Sequence, residues 1–273
     1  MHRRLEQALW GAFSLPAIAI VTILFFGPFL LSAVGSFQKG ADWSLANYQR
    51  AFAFYGRDIL YTVGVSLASL ALVLVVSIVA SGILRIHGHR VVEFLFKVPL
   101  FVPYVVVGHA WRVFLAPHGT LNSLLATMNL INLDDPPSVA YSWIGISVAL
   151  AWKNMALAVL LIMGAFRGVN ESYLEAARNF GASTFRQIVD ILVPMSASSL
   201  AVASVLTFTS MMASFSIPLM MGSGGGPQMV MIDVYYEITY QQNMGVANAL
   251  GVVSYLLASG AAIYYLKTIS ESR

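Results

Sequence analysis

Cysteine is absent from the 273 residues, which excludes disulfides and any metal or redox site built on thiolates. Charge is nearly as scarce. Asp, Glu, Lys and Arg together make up 10% of the chain, against about a quarter in soluble domains, and so little polar surface cannot coat a particle in water. No charge at all falls between Glu6 and Lys39, Asp58 and Arg85, Asp190 and Asp233, or Glu237 and Lys267. The charge balance is small as well, with a net of +3 and its basic residues scattered among short loops, so nucleic-acid binding is not expected.

The chemistry of a self-contained enzyme is missing too. No Gly-x-x-x-x-Gly-Lys-Ser/Thr loop occurs, and the nearest candidate, Gly222-Ser223-Gly224-Gly225-Gly226-Pro227, lacks the lysine and reads as a flexible turn. His87 and His89 stand between Arg85 and Arg90 without a Cys or carboxylate at ligand spacing, so they read as a basic turn and not as a metal site. No Ser/His/Asp set stands at a recognisable spacing, and the long apolar runs hold no paired carboxylates. Catalytic, cofactor-binding and metal-binding residues are therefore all expected to be absent.

What the chain does have is hydrophobic sequence: 58% apolar residues and a mean hydropathy of +0.76. Each charge-free interval has room for a span of about 20 residues. A lipid-embedded backbone must satisfy its own hydrogen bonds, leaving only helices or a closed barrel. Apolar runs without polar alternation select helices. The fold class is thus all-α integral membrane, a single domain over 1–273, with six transmembrane helices at roughly 10–35, 60–84, 94–115, 139–164, 197–220 and 246–266. The opening His2-Arg3-Arg4 and the apolar run after it look like a signal peptide, but the run reaches about residue 37, too long for a cleaved segment. It reads as a retained first helix.

An even number of spans places both termini on one side. With the termini inside, Arg3, Arg4, Arg85, Arg90, Lys97, Arg167, Arg178, Arg186, Lys267 and Arg273 are cytoplasmic, whereas only Lys39, Arg50 and Arg57 lie outside. That excess follows the positive-inside rule. The largest cytoplasmic segment is then 167–194, and 36–59, 116–138 and 221–245 face outward. The segment 116–138 reads as a short amphipathic helix closed by a turn at Asp134-Asp135-Pro136-Pro137.

The 167–194 segment is the most informative part of the chain. Asn170 or Ser172 is placed to cap a helix with Glu171 and Glu175 in its first turn, where negative charge is favourable. Gly181 suits a left-handed helix terminus. Ser183 then caps a second helix with Phe185, Ile188, Val189 and Leu192 on one side, and Pro194 leads into the fifth span. The expected result is a cytoplasmic helix–turn–helix.

These residues resemble a known family. Glu175-Ala176-Ala177, three residues, Gly181, nine residues, Ile191, one residue, then Val193-Pro194 is similar to the EAA loop of binding-protein-dependent ABC importer permeases of type I, with Val193 standing where the pattern expects Leu. Asn47-Tyr48, Pro99, Pro103, and Gly119 with Asn122 look like the spermidine/putrescine permease branch; ferric-ion, phosphonate, thiamine and sulfate branches share several of these features.

The resemblance implies a permease subunit in a bacterial cytoplasmic (inner) membrane, multi-pass, with both termini cytoplasmic. Its partners would be a second permease, expected to be a different chain, two ATPase subunits that hold ATP and Mg, and an extracytoplasmic solute-binding protein. It further implies that the loop docks in the ATPase: Ala176 and Ala177 permit close approach, Gly181 sets the interhelical angle, Glu175 and Arg178 supply charge-assisted contacts, and Phe180 is an anchor. An ion-gradient-driven secondary transporter, the rival reading, would show repeats and several midplane charges, and neither is visible.

Polar residues within the spans leave alternatives open. Ser199, Ala203, Thr207, Ser210 and Ser214 form one small or hydroxyl-bearing stripe, suited to helix packing or to lining a solute path. Lys153, near the middle of the fourth span, either pairs with a carbonyl or acid or faces the pathway. Asp233 and Glu237, four apart with Tyr235, Tyr236 and Tyr240 nearby, suit an amine or cation, hence a polyamine-like solute, and equally a binding-protein contact.

Overall fold

The computed structural model describes residues 15–40, 42–222 and 225–271, so the start of the first expected span, residues 10–14, lies outside the described residues. Helix α1 is Leu15–Ser36 with a π turn at Thr22–Phe26. A two-stranded hairpin, β1 Gln38–Lys39 and β2 Asp42–Trp43, follows. Then come α2 Ala46–His87, α3 Arg90–Lys97, α4 Tyr104–Leu115, α5 Thr120–Thr127, α6 Trp143–Arg167, α7 Glu171–Asn179, α8 Thr184–Met195, α9 Ala197–Met212, α10 Ser216–Met221, α11 Val230–Thr239 and α12 Met244–Glu271. Three of these, α1, α2 and α6, are each long and apolar enough to cross a membrane, or up to five spans exist if each bent pair counts as one.

The bends have local causes. Arg90–Phe101 and Tyr104–Thr127 meet at 105°, across a 3-10 turn at Val98–Phe101, so the stretch expected as one helix over 94–115 is broken. Pro103 has no N–H to offer and drives Val102 into an extended conformation, ψ 124°. The second bend, 83° between Thr184–Met195 and Ala197–Met212, lies just after Pro194 and a π turn at Gln187–Leu192. The fifth expected span is also shorter than 197–220: α9 stops at Met212, and α10 begins afresh so that Pro218 falls within its first turn.

The chain packs as two compact units, one of the residues up to Gly56 with Asp233–Val253, the other of Arg57–Ile232 with the chain from Ser254 onward. In the first, Asn47 Nδ2 donates to the carbonyls of Ser36 at 3.0 Å and Gln38 at 2.8 Å, and Ser32 Oγ donates to Asn248 Oδ1 at 2.9 Å. Gly35 lets the Asn248 amide approach to where a Cβ would be, 2.7 Å from its nitrogen.

The second unit is organised around α6. Ser142 caps it by accepting from the Gly145 amide, and Ala149, Ala151, Ala156 and Ala158 on its buried surface let α9 and α4 approach. Leu150, Ile162, Phe166, Leu174, Leu192 and Met211 fill this core. Gly108 brings α4 against α10, where a Cβ would lie 3.1 Å from Ile217 Cα.

At the corner after α4, Asn122 is 3% exposed, and its Nδ2 reaches the carbonyls of Ala116 at 3.3 Å and of Pro117 and Pro137 at 3.0 Å each. Asn122→Ala is expected to lower stability by about 1–3 kcal/mol, the cost of leaving buried acceptors unmet. A drop in the melting midpoint of the detergent-solubilised protein would register it; an unchanged midpoint would mean that water replaces the amide.

Candidate functional site

The 167–194 loop is a helix–turn–helix seated on the core of the second unit. Asn170, not Ser172, is the N-cap of α7, its Oδ1 accepting from the Ser172 amide at 3.0 Å. Phe180 ends the helix, and Gly181 takes φ +79°, the left-handed region where glycine is favoured. Its N–H donates to the Arg178 carbonyl and that of Ala182 to the Ala177 carbonyl, both at 2.9 Å, which closes the turn. Ser183 then caps α8 through the Arg186 amide at 3.4 Å.

Burial divides the loop into a base and an outward surface. Leu174, Ile188 and Leu192 are buried in the core, as is Gln187, whose Nε2 donates to the Ala182 carbonyl. Facing outward are Glu175, Ala176, Arg178, Phe180 and Gly181, with Ala177 half-buried. Phe180 is 92% exposed, an aromatic ring that nothing among the described residues covers. Of the four apolar residues expected on one side of α8, Ile188 and Leu192 are inside whereas Phe185 and Val189 are exposed, because the π turn at Gln187–Leu192 shifts the register of the face.

Two ionic clusters stand beside the loop. Glu93 Oε1 meets Lys97 Nζ at 2.7 Å and its Oε2 meets Arg167 at 2.8 Å, tying α3 to the end of α6. Glu171 is held by Arg85 at 2.7 Å and Arg178 at 2.9 Å. Sequence inspection gave the Glu93–Lys97 spacing of four no role, and Arg85 carried no signal beyond its sign.

Lys153 is 8% exposed. Its ammonium donates to the carbonyls of Pro99 at 2.7 Å, Val102 at 2.6 Å and, more weakly, Leu100 at 3.4 Å, and lies 4.6 Å from the centre of the Tyr104 ring. Tyr104 in turn reaches Ser210 Oγ at 3.3 Å. The structure thus brings Lys153 and Ser210 to either side of one tyrosine. Thr207 and Ser214 are buried inside the second unit, Ser210 is half-buried and Ser199 is exposed.

In the first unit, Asp233 and Glu237 are each 1% exposed, and Tyr55 donates its hydroxyl to Glu237 Oε1 at 2.5 Å. Tyr236 and Tyr240 are at the surface, their rings 5.6 Å apart. Of the acid-and-aromatic group expected from the sequence, the acids therefore point inward and the tyrosines outward. Asp58, unremarked in the sequence, accepts from the Gln228 amide at 2.8 Å, and Thr62 from the first amide of α11 at 2.9 Å.

An almost wholly helical chain with apolar helices, broken spans and an exposed helix–turn–helix defines the class: a membrane permease of the importer type. Residues 88–273 match the model of the family described as binding-protein-dependent transport system inner membrane component, and the chain belongs to that family. It is similar to the trehalose/maltose transport system permease protein MalF of Thermococcus litoralis, 24% identical over 82% of this chain and 78% of that one. It is also similar to the spermidine/putrescine transport system permease protein PotB of Escherichia coli, 24% identical over 71% of each. Against two other sugar-transport relatives the match covers 50% and 57% of their length. The fold is shared with a bacterial ABC transporter involved in the import of the acidic polysaccharide alginate, at a TM-score of 0.78 and 17% identity, over 96% of this chain and 95% of that one.

Proposed function

We propose that this chain forms, with a second permease, the translocation path of an ATP-driven importer, and that its 167–194 loop docks in cytoplasmic ATPase subunits. The observation that carries the reading is the division of the loop into a buried base, led by Leu174 and Leu192, and an outward surface of Glu175, Ala176, Arg178, Phe180 and Gly181. A helix pair fixed to the core and continuous with α6 and α9 passes a push on its outer surface to both helices as rigid-body motion. In this proposal the chain is one permease domain with six spans and both termini cytoplasmic. ATP and Mg are held by the ATPase partners, and a solute-binding protein delivers the solute from the other side.

The solute is proposed as a small polar molecule selected largely by that binding protein. A polyamine-like cation is supported by the likeness to a spermidine/putrescine permease protein, whereas Asp233 and Glu237, which suggested it in the sequence beside Tyr236, are turned inward and add no support. A sugar is supported by the likeness to a trehalose/maltose permease protein. Ferric ion, phosphonate or another small polar solute is the further alternative that the sequence resemblance suggests.

The test is copurification. The chain is expressed with its genomic neighbours and recovered through a tag on this subunit. The ATPase subunit is expected with the wild-type chain and lost when Glu175→Lys and Gly181→Pro are combined. An ATPase that never copurifies, although both chains are expressed, would defeat the docking role. Thermal-shift screening of the neighbouring binding protein against polyamines and oligosaccharides then separates the two solute classes.

A further inference from the structure

We infer that the C-terminal end of α2 is a third anchor of the 167–194 loop, with Arg85 as its positioning residue, so that motion of the loop is delivered to α2 directly and not only to α6 and α9. This rests on the loop being the ATPase-docking element. The chain itself joins the loop to α6 and α9. Helix α2 is about eighty residues away in sequence, and nothing covalent obliges it to follow.

Three residues in its last two turns nevertheless grip the loop. At Gly82 a Cβ would lie 2.4 Å from Ile188 Cγ1, so α2 and the π turn touch at a distance only glycine allows. At Arg85 the guanidinium is engaged on all three nitrogens. Nε donates to the Phe166 carbonyl at 3.0 Å, Nη2 to the Val169 carbonyl at 3.1 Å, and Nη1 pairs with Glu171 Oε2 at 2.7 Å. At His87 the ring Nε2 is 3.1 Å from Thr184 Oγ1, on the first residue of α8. These partners sample the end of α6, the start of α7, the start of α8 and the π turn, which is the loop from one end to the other.

The chemistry of Arg85 suits this task. Phe166 stands in the last turn of α6, where the helix offers no amide four residues on, and its carbonyl takes a 3.3 Å bond from the Val169 amide beside that of Arg85; Val169 lies just beyond the helix, in the link to α7. Glu171 opens α7, so one rigid fork bridges the junction on which the loop would pivot. The two arginines share the half-exposed Glu171; the Arg85 side chain is 17% exposed and that of Arg178 49%, so solvent screens the Arg178 contact more. The positive-inside rule accounts for a basic residue here, but an interfacial anchor has no use for three directed bonds.

The test uses the complete transporter in liposomes and reads solute moved per ATP hydrolysed. With Arg85→Met, the ATPase subunit is expected to stay bound while this ratio falls by about tenfold, the scale of mutations along a coupling route. Arg85→Lys should recover part of it, since an ammonium keeps the charge beside Glu171 but lacks the planar fork that meets three partners from three nitrogens. A wild-type ratio in Arg85→Met overturns the inference.

A second variant covers the case in which Arg85→Met fails to accumulate. His87→Cys with Thr184→Cys is introduced into this cysteine-free chain and bridged by a short bismaleimide. Transport should continue after bridging, because the two ends move as one body. Failure of the bridge to form, or arrest of transport once it forms, also overturns the inference. If instead the combined Glu175→Lys and Gly181→Pro variant retains the ATPase subunit, it is the docking reading that fails.

Discussion

Gly181→Pro should reduce solute uptake by more than about tenfold, as expected when the coupling element between ATPase and path is distorted, while the protein still reaches the membrane. Gly181 sits at φ +79°, and proline fixes φ near about −65°, so the turn between α7 and α8 cannot keep its shape. Proline also removes the N–H that donates to the Arg178 carbonyl at 2.9 Å. Among the described residues, nothing beyond the adjacent chain lies within 4 Å of a Cβ built on Gly181, so the damage is to the angle between the helices and not to packing. Gly181→Ala separates the two effects: it keeps the N–H and meets no clash, and its left-handed strain is only about 1–2 kcal/mol. Its uptake should fall far less. Parallel uptake measurements on the two variants, with surface expression matched, check the ordering, and equal activity of Gly181→Pro and wild type would remove the turn from the coupling mechanism.

That turn was legible in the sequence because its signals are local. Asn170, Ser183 and Gly181 are cap and turn residues whose preferences arise within a few bonds, and all three occupy the predicted positions. The long apolar helices α1, α2 and α6 were legible for a similar reason: a lipid-embedded helix needs a long run without charge. Periodicity failed where proline acted. A hydropathy reading over 94–115 sees one apolar run, but Pro99 and Pro103 break the backbone without lowering hydrophobicity, and the run becomes two helices at 105°.

Contacts between distant segments were not legible. Arg85 reads as one more basic residue at a span end, and only the fold reveals that α2 brings it to the carbonyls of Phe166 and Val169. Asp58 and Thr62 are likewise ordinary until α11 is seen to begin over them. For Asp233 and Glu237 the sequence supplied the shared helix face but not its direction. A spacing of four says that two residues point the same way, and tertiary packing decides that the way is inward. The hydroxyl stripe on α9 shows the same limit, since Thr207 is enclosed and Ser199 is exposed on one line of the helix.

Lys153→Met should leave little folded protein in the membrane, because the ammonium completes a helix that proline has broken. The carbonyl of Pro99 would be met in a continuous helix by the amide of residue 103, four positions on, and Pro103 has no N–H. Lys153 supplies the short donor to Pro99 at 2.7 Å, beside a long bond from the Val102 amide at 3.4 Å, and satisfies the Val102 carbonyl at 2.6 Å with the same group. Methionine matches the stem in length and apolar character but donates nothing. A buried carbonyl left unmet costs about 1–3 kcal/mol; Val102 would lose its short donor and Pro99 would keep only the long bond from the Val102 amide, losses that together are a large part of the roughly 5–15 kcal/mol that holds a typical fold. The measurement is the yield of monodisperse protein and its melting midpoint in detergent, beside uptake in cells. A role in the solute path predicts the opposite pattern, normal yield and midpoint with altered uptake, and that result would return Lys153 to the pathway.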